Sequence, residues 1–278
     1  MYSLNQSQII GYVTEDPQVR EIGSGMLVTD LNIEIKTKTD NPNANNPMGT
    51  TFLNVTLWSK LAEIARDYVK KGSQVYLSGR LETDSWEDDK GNKKFKTKMV
   101  ADNLIMLSPK DGFLAPLSDN LLISGGINKA EILGNVTKTP ELKTTPSGSN
   151  VTSFGVATNR VWKNSSGEKQ EKTEFHNIVA WDDLADQIAK HIAKGRKVYV
   201  SGRIQTRSWE TPDGQKRYTT EIVANELKSL GHALEGGSKN SGNYITDQAS
   251  SESNIAESID NIPEINYESE IKPEDLPF

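Results

Sequence analysis

Residues 78–104, "SGRLETDSWEDDKGNKKFKTKMVADNL", reappear 123 positions later as "SGRIQTRSWETPDGQKRYTTEIVANEL" at 201–227. The same offset carries Trp58 onto Trp181 and Trp86 onto Trp209. It holds without a gap from Gly11 and Gly134 through Leu107 and Leu230. About thirty positions are identical over roughly a hundred. A unit of that length is a whole domain rather than one turn of a solenoid. The chain must therefore fold as one domain used twice. The pattern divides it into a first copy at 1–108, a linker at 109–126, a second copy at 127–232 and a tail at 233–278.

Within each copy apolar residues recur mostly every second position, the period of a half-buried strand. In the second copy "INKAEILGNV" reads as a first strand, with Gly134 expected to mark a bulge or bend. "VTSFGVATNRVW" and "EFHNIVAW" then form a hairpin across the polar loop "KNSSGEKQEK". Leu184, Ile188 and Ile192 in "DDLADQIAKHIAKG" have helical spacing, with Asp182 as expected N-cap and Gly195 as stop. "KVYVSGRIQTRSWE" and "KRYTTEIVANEL" close the domain as a second hairpin. The first copy repeats this order, with "SKLAEIARDYVKKG" as its helix. The predicted fold class is mainly β: two tandem OB folds, five-stranded Greek-key barrels, each with one helix between strands 3 and 4. An SH3-like barrel competes with this reading but lacks so regular a helix in that slot. The linker holds "FLAPL" and "NLLI", too apolar for a free spacer, and is expected to pack on one domain or at an oligomer contact.

Hydrophobic residues make up only 35% of the chain, as expected if part of it packs no core. There is no apolar run long enough to span a membrane and no secretory pattern at the start. The absence of cysteine excludes disulfides and thiolate metal sites and fits a cytoplasmic location. Net charge is -6, yet residues 239–278 alone hold nine Asp plus Glu against two Lys. The other 238 residues carry 30 basic and 29 acidic side chains, so the acidity belongs to the tail.

Residues two apart on a strand share a face. Arg203, Gln205, Arg207 and Trp209 therefore line one face opposite Val200, Gly202 and Ile204. Trp209 is either a register-setting partner of Tyr218 across the hairpin or a surface platform. Unpaired bases stack on such platforms, at roughly 1–3 kcal/mol per base, while Lys and Arg follow the phosphates. Trp162 stands beside Arg160 and Lys163, Phe175 lies near Lys172, and Trp181 closes that strand.

"GNVTKTPELKTTPSG", "TEFHNIVAW" and "SGRIQTRSWETPDGQKRYTTEIV" resemble the bacterial single-stranded DNA-binding protein family, in the variety with two OB folds per chain. The resemblance implies base stacking at Trp162, Phe175, Trp181 and Trp209, with Arg160, Lys163, Lys172, Arg203, Arg207, Lys216, Arg217 and Tyr218 around them. In the first copy it implies Phe52, Trp58 and Trp86, with Arg80, Lys93 and Lys94. His176 falls where the family has a histidine in subunit contacts; a strand histidine with one satisfied hydrogen bond is the alternative. The first copy departs from the pattern: Thr39 replaces Trp162, Leu53 replaces His176 and Asp84 replaces Arg207. It holds 14 basic and 14 acidic residues in 1–110, against 16 and 13 in 126–238, and is expected to bind more weakly.

The tail ends "EIKPEDLPF", where Glu274 and Asp275 precede Leu276, Pro277 and Phe278. Such a peptide suits an apolar pocket rimmed by cations. It resembles the family's tip, which recruits replication, recombination and repair proteins, although Lys272 interrupts the acids. The implied function is to bind and protect single-stranded DNA without strong sequence preference. The family works with four OB folds per assembly, so two per chain imply a homodimer associated with the nucleoid. An enzyme reading finds no support in the spacing of His176, His191 and His232, and no cofactor or metal is expected. An OB module for proteins or oligosaccharides would need the aromatics without their flanking cations. RNA remains an alternative ligand.

Overall fold

The computed structural model describes residues 3–23, 25–38, 48–87, 93–108, 126–164, 166–210 and 216–230. The first copy runs β1 (Leu4–Val13), β2 (Arg20–Ile22), β3 (Met26–Lys38), β4 (Met48–Trp58), α1 (Lys60–Tyr68), β5 (Gln74–Glu87) and β6 (Lys93–Met106). The second repeats it as β7 (Asn128–Val136), β8 (Glu141–Thr144), β9 (Asn150–Lys163), β10 (Lys169–Trp181), α2 (Asp182–His191), β11 (Lys197–Glu210) and β12 (Lys216–Leu230). Setting aside the short edge strands β2 and β8, each copy has five long strands, and its helix follows the third.

Each barrel closes by two pairings at its ends. In the first copy β1 pairs with β3 and β4 lies parallel to β6; in the second β7 pairs with β9 and β10 lies parallel to β12. The alternation read from the sequence supplies the filling. Ile9, Leu31, Ile33, Leu53, Leu57, Leu77 and Met99 are buried in one barrel, and Ile132, Phe154, Val156, Ile178, Val200 and Ile204 in the other. Each such side chain contributes roughly 1.5–3 kcal/mol on leaving water. Ala62 and Ala65 of α1, and Ala185 and Ile188 of α2, turn the buried stripe of each helix onto its barrel.

Two local expectations are corrected. Gly134 marks no bulge; the register shifts fall at Ser78/Gly79 and Ser201/Gly202. Gly134 instead sits where β7 passes from β11 to β9, and a Cβ there would lie 2.2 Å from the Ala157 carbonyl oxygen. Asp182 makes no side-chain cap. It is the first residue of α2, at φ 48, and Ser59 has the same φ at the same place in the first copy. Strand meets helix at a single residue of positive φ that turns the corner; at Ser59, with φ 48 and ψ -116, this lies outside the left-handed helical region and is a strained conformation for a residue with a side chain.

The copies join through β1 and β7, which pair antiparallel from Leu4↔Leu133 to Ile9↔Asn128. Ser7 pairs with its own counterpart, Ala130, so a pseudo-twofold axis passes between them and all twelve strands form one sheet. Asn5 clamps β5 by donating to the Leu81 carbonyl (2.8 Å) and accepting from the Leu81 N–H (2.9 Å). Asn128 holds Ile204 in the same way, at 2.8 Å in both bonds. Most of the linker, 109–125, lies outside the described residues. Its end packs on the first copy: the Gly126 N–H donates to the Lys36 carbonyl (2.7 Å) and the Ile127 carbonyl accepts from the Ile10 N–H (2.8 Å).

Candidate nucleic-acid interface

The outer face of the β9–β10 ladder is flat and largely neutral. Its rungs are Val151↔Trp181, Ser153↔Val179, Gly155↔Asn177 and Ala157↔Phe175, while Phe154, Val156, Ile178 and Ala180 point into the barrel. Phe175 and Trp181 are half-buried, each with part of its ring open to solvent. The β3–β4 ladder of the first copy has the same layout with different neighbours: Val28↔Trp58, Asp30↔Thr56, Asn32↔Asn54 and Glu34↔Phe52. Phe52, Trp58 and Trp86 are exposed.

The β9–β10 hairpin is longer than its sequence indicates. Half of the stretch 163–172, expected as loop, is strand: the ladder runs in register to Lys163↔Lys169, so Lys163 and residues 169–172 belong to the hairpin's strands. The turn is held by the Asn164 N–H on the Glu168 carbonyl and the Gly167 N–H on the Asn164 carbonyl, both 2.9 Å. This extension lies over the first copy. Along it Trp162 is half-buried, with the Arg160 guanidinium 4.8 Å from its ring centroid, and Lys163 is exposed.

Three cations read as phosphate contacts meet at one carboxylate, Glu82 of β5. Arg80 donates to it at 2.6 Å, Lys172 at 3.1 Å, and Arg160 lies 3.5 Å away. Lys172 also pairs with Glu174 at 2.6 Å, and Glu174 accepts from the Thr83 N–H at 3.0 Å. Burial pushes the Glu82 carboxyl up, but Lys172 and Arg80 outweigh it and hold it below its ordinary value. Burial lowers Lys172, while Glu174 and Glu82 more than restore it, so its ammonium is held above the ordinary value. The mirror side of the pseudo-twofold axis lacks the carboxylate: Gln205 stands in place of Glu82, and Thr206 donates to the Phe52 carbonyl at 3.0 Å.

On β11 Arg203 donates to Gln205 at 3.2 Å, and Arg207 lies 4.0 Å from Glu221, which is 3% exposed. Burial pushes the Glu221 carboxyl up to about 7, with Arg207 and Arg203 offsetting only part of the rise. The first copy holds the same diagonal with its charges exchanged, Asp84 against Lys98 at 2.5 Å. The contrast drawn from Asp84 and Arg207 alone is thereby revised. Each belongs to an ion pair, and the copies differ in the polarity of the pair. In the β11–β12 ladder Trp209 is in register with Arg217, and Tyr218 with Ser208. The side chains of Trp209, Lys216, Arg217, Lys93 and Lys94, like Thr39 and the whole tail, lie outside the described part of the chain.

His176 is 6% exposed within the single chain, and its Nε2 is 2.9 Å from Thr158 Oγ1. Burial lowers it to about 4, so the ring is neutral at pH 7. Sequence reasoning missed Glu82, Glu174 and Glu221. The one signal available was their exchange for Gln205, Thr51 and Lys98 in the other copy. Among the described residues no cluster of acids and histidines is placed to hold a metal, and no helix is long and apolar enough to cross a membrane.

Comparison with known proteins bears on the same two units. The model of the single-strand binding protein family matches residues 4–107 and 127–230. The single-stranded DNA-binding protein of Deinococcus radiodurans is 30% identical over 240 residues, covering 86% of this chain and 79% of that protein. Its namesake from Thermus aquaticus is 30% identical over 242 residues, covering 85% and 89%. The crystal structure of the wild-type Thermus aquaticus protein superposes with a TM-score of 0.65 at 25% identity, over 86% of this chain and 98% of that one. Two matched units, each a closed barrel with aromatic side chains on its outer ladder, make this chain a member of the single-strand binding protein family.

Proposed function

We propose that the protein binds and protects single-stranded DNA during replication, recombination and repair. Unpaired bases stack on the outer ladders while lysine and arginine side chains meet the phosphates. The observation that carries this is the recurrence of solvent-open aromatics at equivalent positions of both barrels, Phe52 and Trp58 in one, Phe175 and Trp181 in the other. Stacking needs only the flat face that every base has, so recognition is broad rather than sequence-specific. The second copy contributes most of the affinity, because Ser153, Gly155 and Ala157 leave room beside its rings where the first copy has Asp30, Asn32 and Glu34. Residues 274–278 recruit partner proteins, and two chains assemble as a homodimer that acts in the cytoplasm on the nucleoid.

The test is tryptophan fluorescence of the full chain titrated with oligo-dT at two salt concentrations. Strong quenching and an affinity that falls with salt are expected. Phe175→Ala with Trp181→Ala weakens binding more than Phe52→Ala with Trp58→Ala. Saturable binding with unchanged fluorescence overturns the stacking reading, and the reverse order of the two variants overturns the ranking of the copies.

A further inference from the structure

The face on which the copies differ most is the outer ladder itself. In the second copy Phe175 has Ala157 directly opposite, a neighbour that offers no hydrogen bond. In the first copy the equivalent rung is Glu34↔Phe52. Ile33 and Leu53, the flanking residues, are buried in the barrel, so Glu34 and Phe52 both point outward. Phe52 is 50% exposed, and the Glu34 side chain is 28% exposed. Residues directly opposite on one face have Cβ atoms about 4.5–5.5 Å apart. A base held against the Phe52 ring therefore brings its pairing edge within reach of a carboxylate one strand away.

We infer that Glu34 makes the first copy a base-reading platform that favours a stacked base with an exocyclic amine on its pairing edge, cytosine above uracil or thymine. The inference rests on the reading that Phe52 stacks bases. A carboxylate only accepts hydrogen bonds. The N4 amine of cytosine donates to it, whereas uracil and thymine carry a carbonyl oxygen at that corner and have their one donor at N3–H, flanked by two carbonyls that the carboxylate repels. Lys36 Nζ lies 3.4 Å from Glu34 Oε1, so the rung carries a cation that offsets the repulsion between this carboxylate and a phosphate backbone. On the far side Glu34 pairs with Tyr12 of β1, which places the carboxylate between two aromatic positions. The next rung continues the contrast. Asn32 faces Asn54 where the second copy has Gly155 facing Asn177, and Asp30 stands on the rung beyond where the second copy has Ser153. The first copy thus sets carboxylates beside its rings, and the second has no charged side chain between its own.

Oligo-dC and oligo-dU isolate the effect, because their bases differ only along the pairing edge. Affinities of the full chain for the two tracts are measured for the wild type, Glu34→Ala, Glu34→Gln and Phe52→Ala. Glu34 and Phe52 are both surface residues, so the variants leave the core intact. Glu34→Ala should lower the dC-to-dU affinity ratio about fivefold. Glu34→Gln should do the same, since its amide serves both edges. Phe52→Ala should weaken both tracts. If Phe52→Ala weakens both while Glu34→Ala strengthens both equally, the carboxylate is only a charge that repels the backbone; the inference is then overturned and the stacking reading stands. If none of the variants alters either affinity, the first copy's ladder does not meet bases, and the stacking reading falls with the inference.

Discussion

Glu221 is a carboxylate placed where water cannot reach it, with Arg207 4.0 Å away and Arg203 also near. An unfolded glutamate titrates near 4.5, this one near 7. The folded state therefore takes up the proton first as pH falls. The group's stability is fully present below about pH 4.5 and is lost as pH rises through 7. Glu221→Gln removes the ionisation and keeps the shape. The variant should be more stable than the wild type by on the order of 1–3 kcal/mol at pH 8.5, with the gap closing towards pH 5. Chemical denaturation at the two pH values measures it, and a gap that does not change with pH would falsify the assignment. Phe175, Trp181 and Trp209 were legible in the sequence because the repeat shows each of them again, as Phe52, Trp58 and Trp86. Glu221 was not, because a glutamate on an alternating strand reads as solvated. Nothing local indicates that its neighbours are two arginines of the adjoining strand and a covering of protein.

At the scale of the element, the β9–β10 hairpin changes most between sequence and structure. "KNSSGEKQEK" is polar at every position and reads as loop, because neither face of a strand built from it could enter a barrel core. Lys163 and residues 169–172 nevertheless extend the ladder, and Lys172, with the neighbouring Arg160 and Glu174, reaches Glu82 and the Thr83 N–H of the first copy. On the proposed reading Glu82 competes with phosphate for these cations. Glu82→Gln installs the residue that the second copy has at this position and should let one or two of them engage DNA. Oligo-dT affinity should rise several-fold, and the plot of log affinity against log salt should steepen by about 0.7 for each cation released. An unchanged slope would show that these cations are structural and never meet the strand.

At the scale of the molecule, the copies form one twelve-stranded sheet across the Ser7↔Ala130 axis, yet the axis is broken chemically. The Glu82 cluster lies on one side; on the other Arg203 meets the neutral Gln205, and Thr206 donates to the Phe52 carbonyl. One ladder carries Asp30 and Glu34, and the other has no charged residue between its rings. On the proposed reading such a chain grips a strand unevenly, and linking the two sites raises the effective concentration for the second contact on a longer strand. On the proposed reading, partner recruitment belongs to a separate part of the chain, the acidic and apolar residues 274–278. A chain lacking those five residues should sediment as a dimer like the full chain and keep its oligo-dT affinity. It should fail to capture replication, recombination and repair proteins that the full chain retains. Loss of DNA binding on the deletion would refute this division of labour, and sedimentation of the full chain as a monomer would refute the dimer.

The barrel, its duplication, the helix slot and the aromatic positions were written in periodicity and in the 123-residue offset. These properties depend on neighbours along the chain, and a reader of the chain has those neighbours in view. The Glu82 cluster, the exchanged diagonals at Asp84–Lys98 and Arg207–Glu221, and the rung of Glu34 with Phe52 depend on which strands adjoin and in what register. A one-residue slip would reverse every one of those faces. Charge and aromaticity are properties of residues, but whether a cation meets a phosphate or a buried carboxylate is settled by folding, because burial and distance set the strength of each pair.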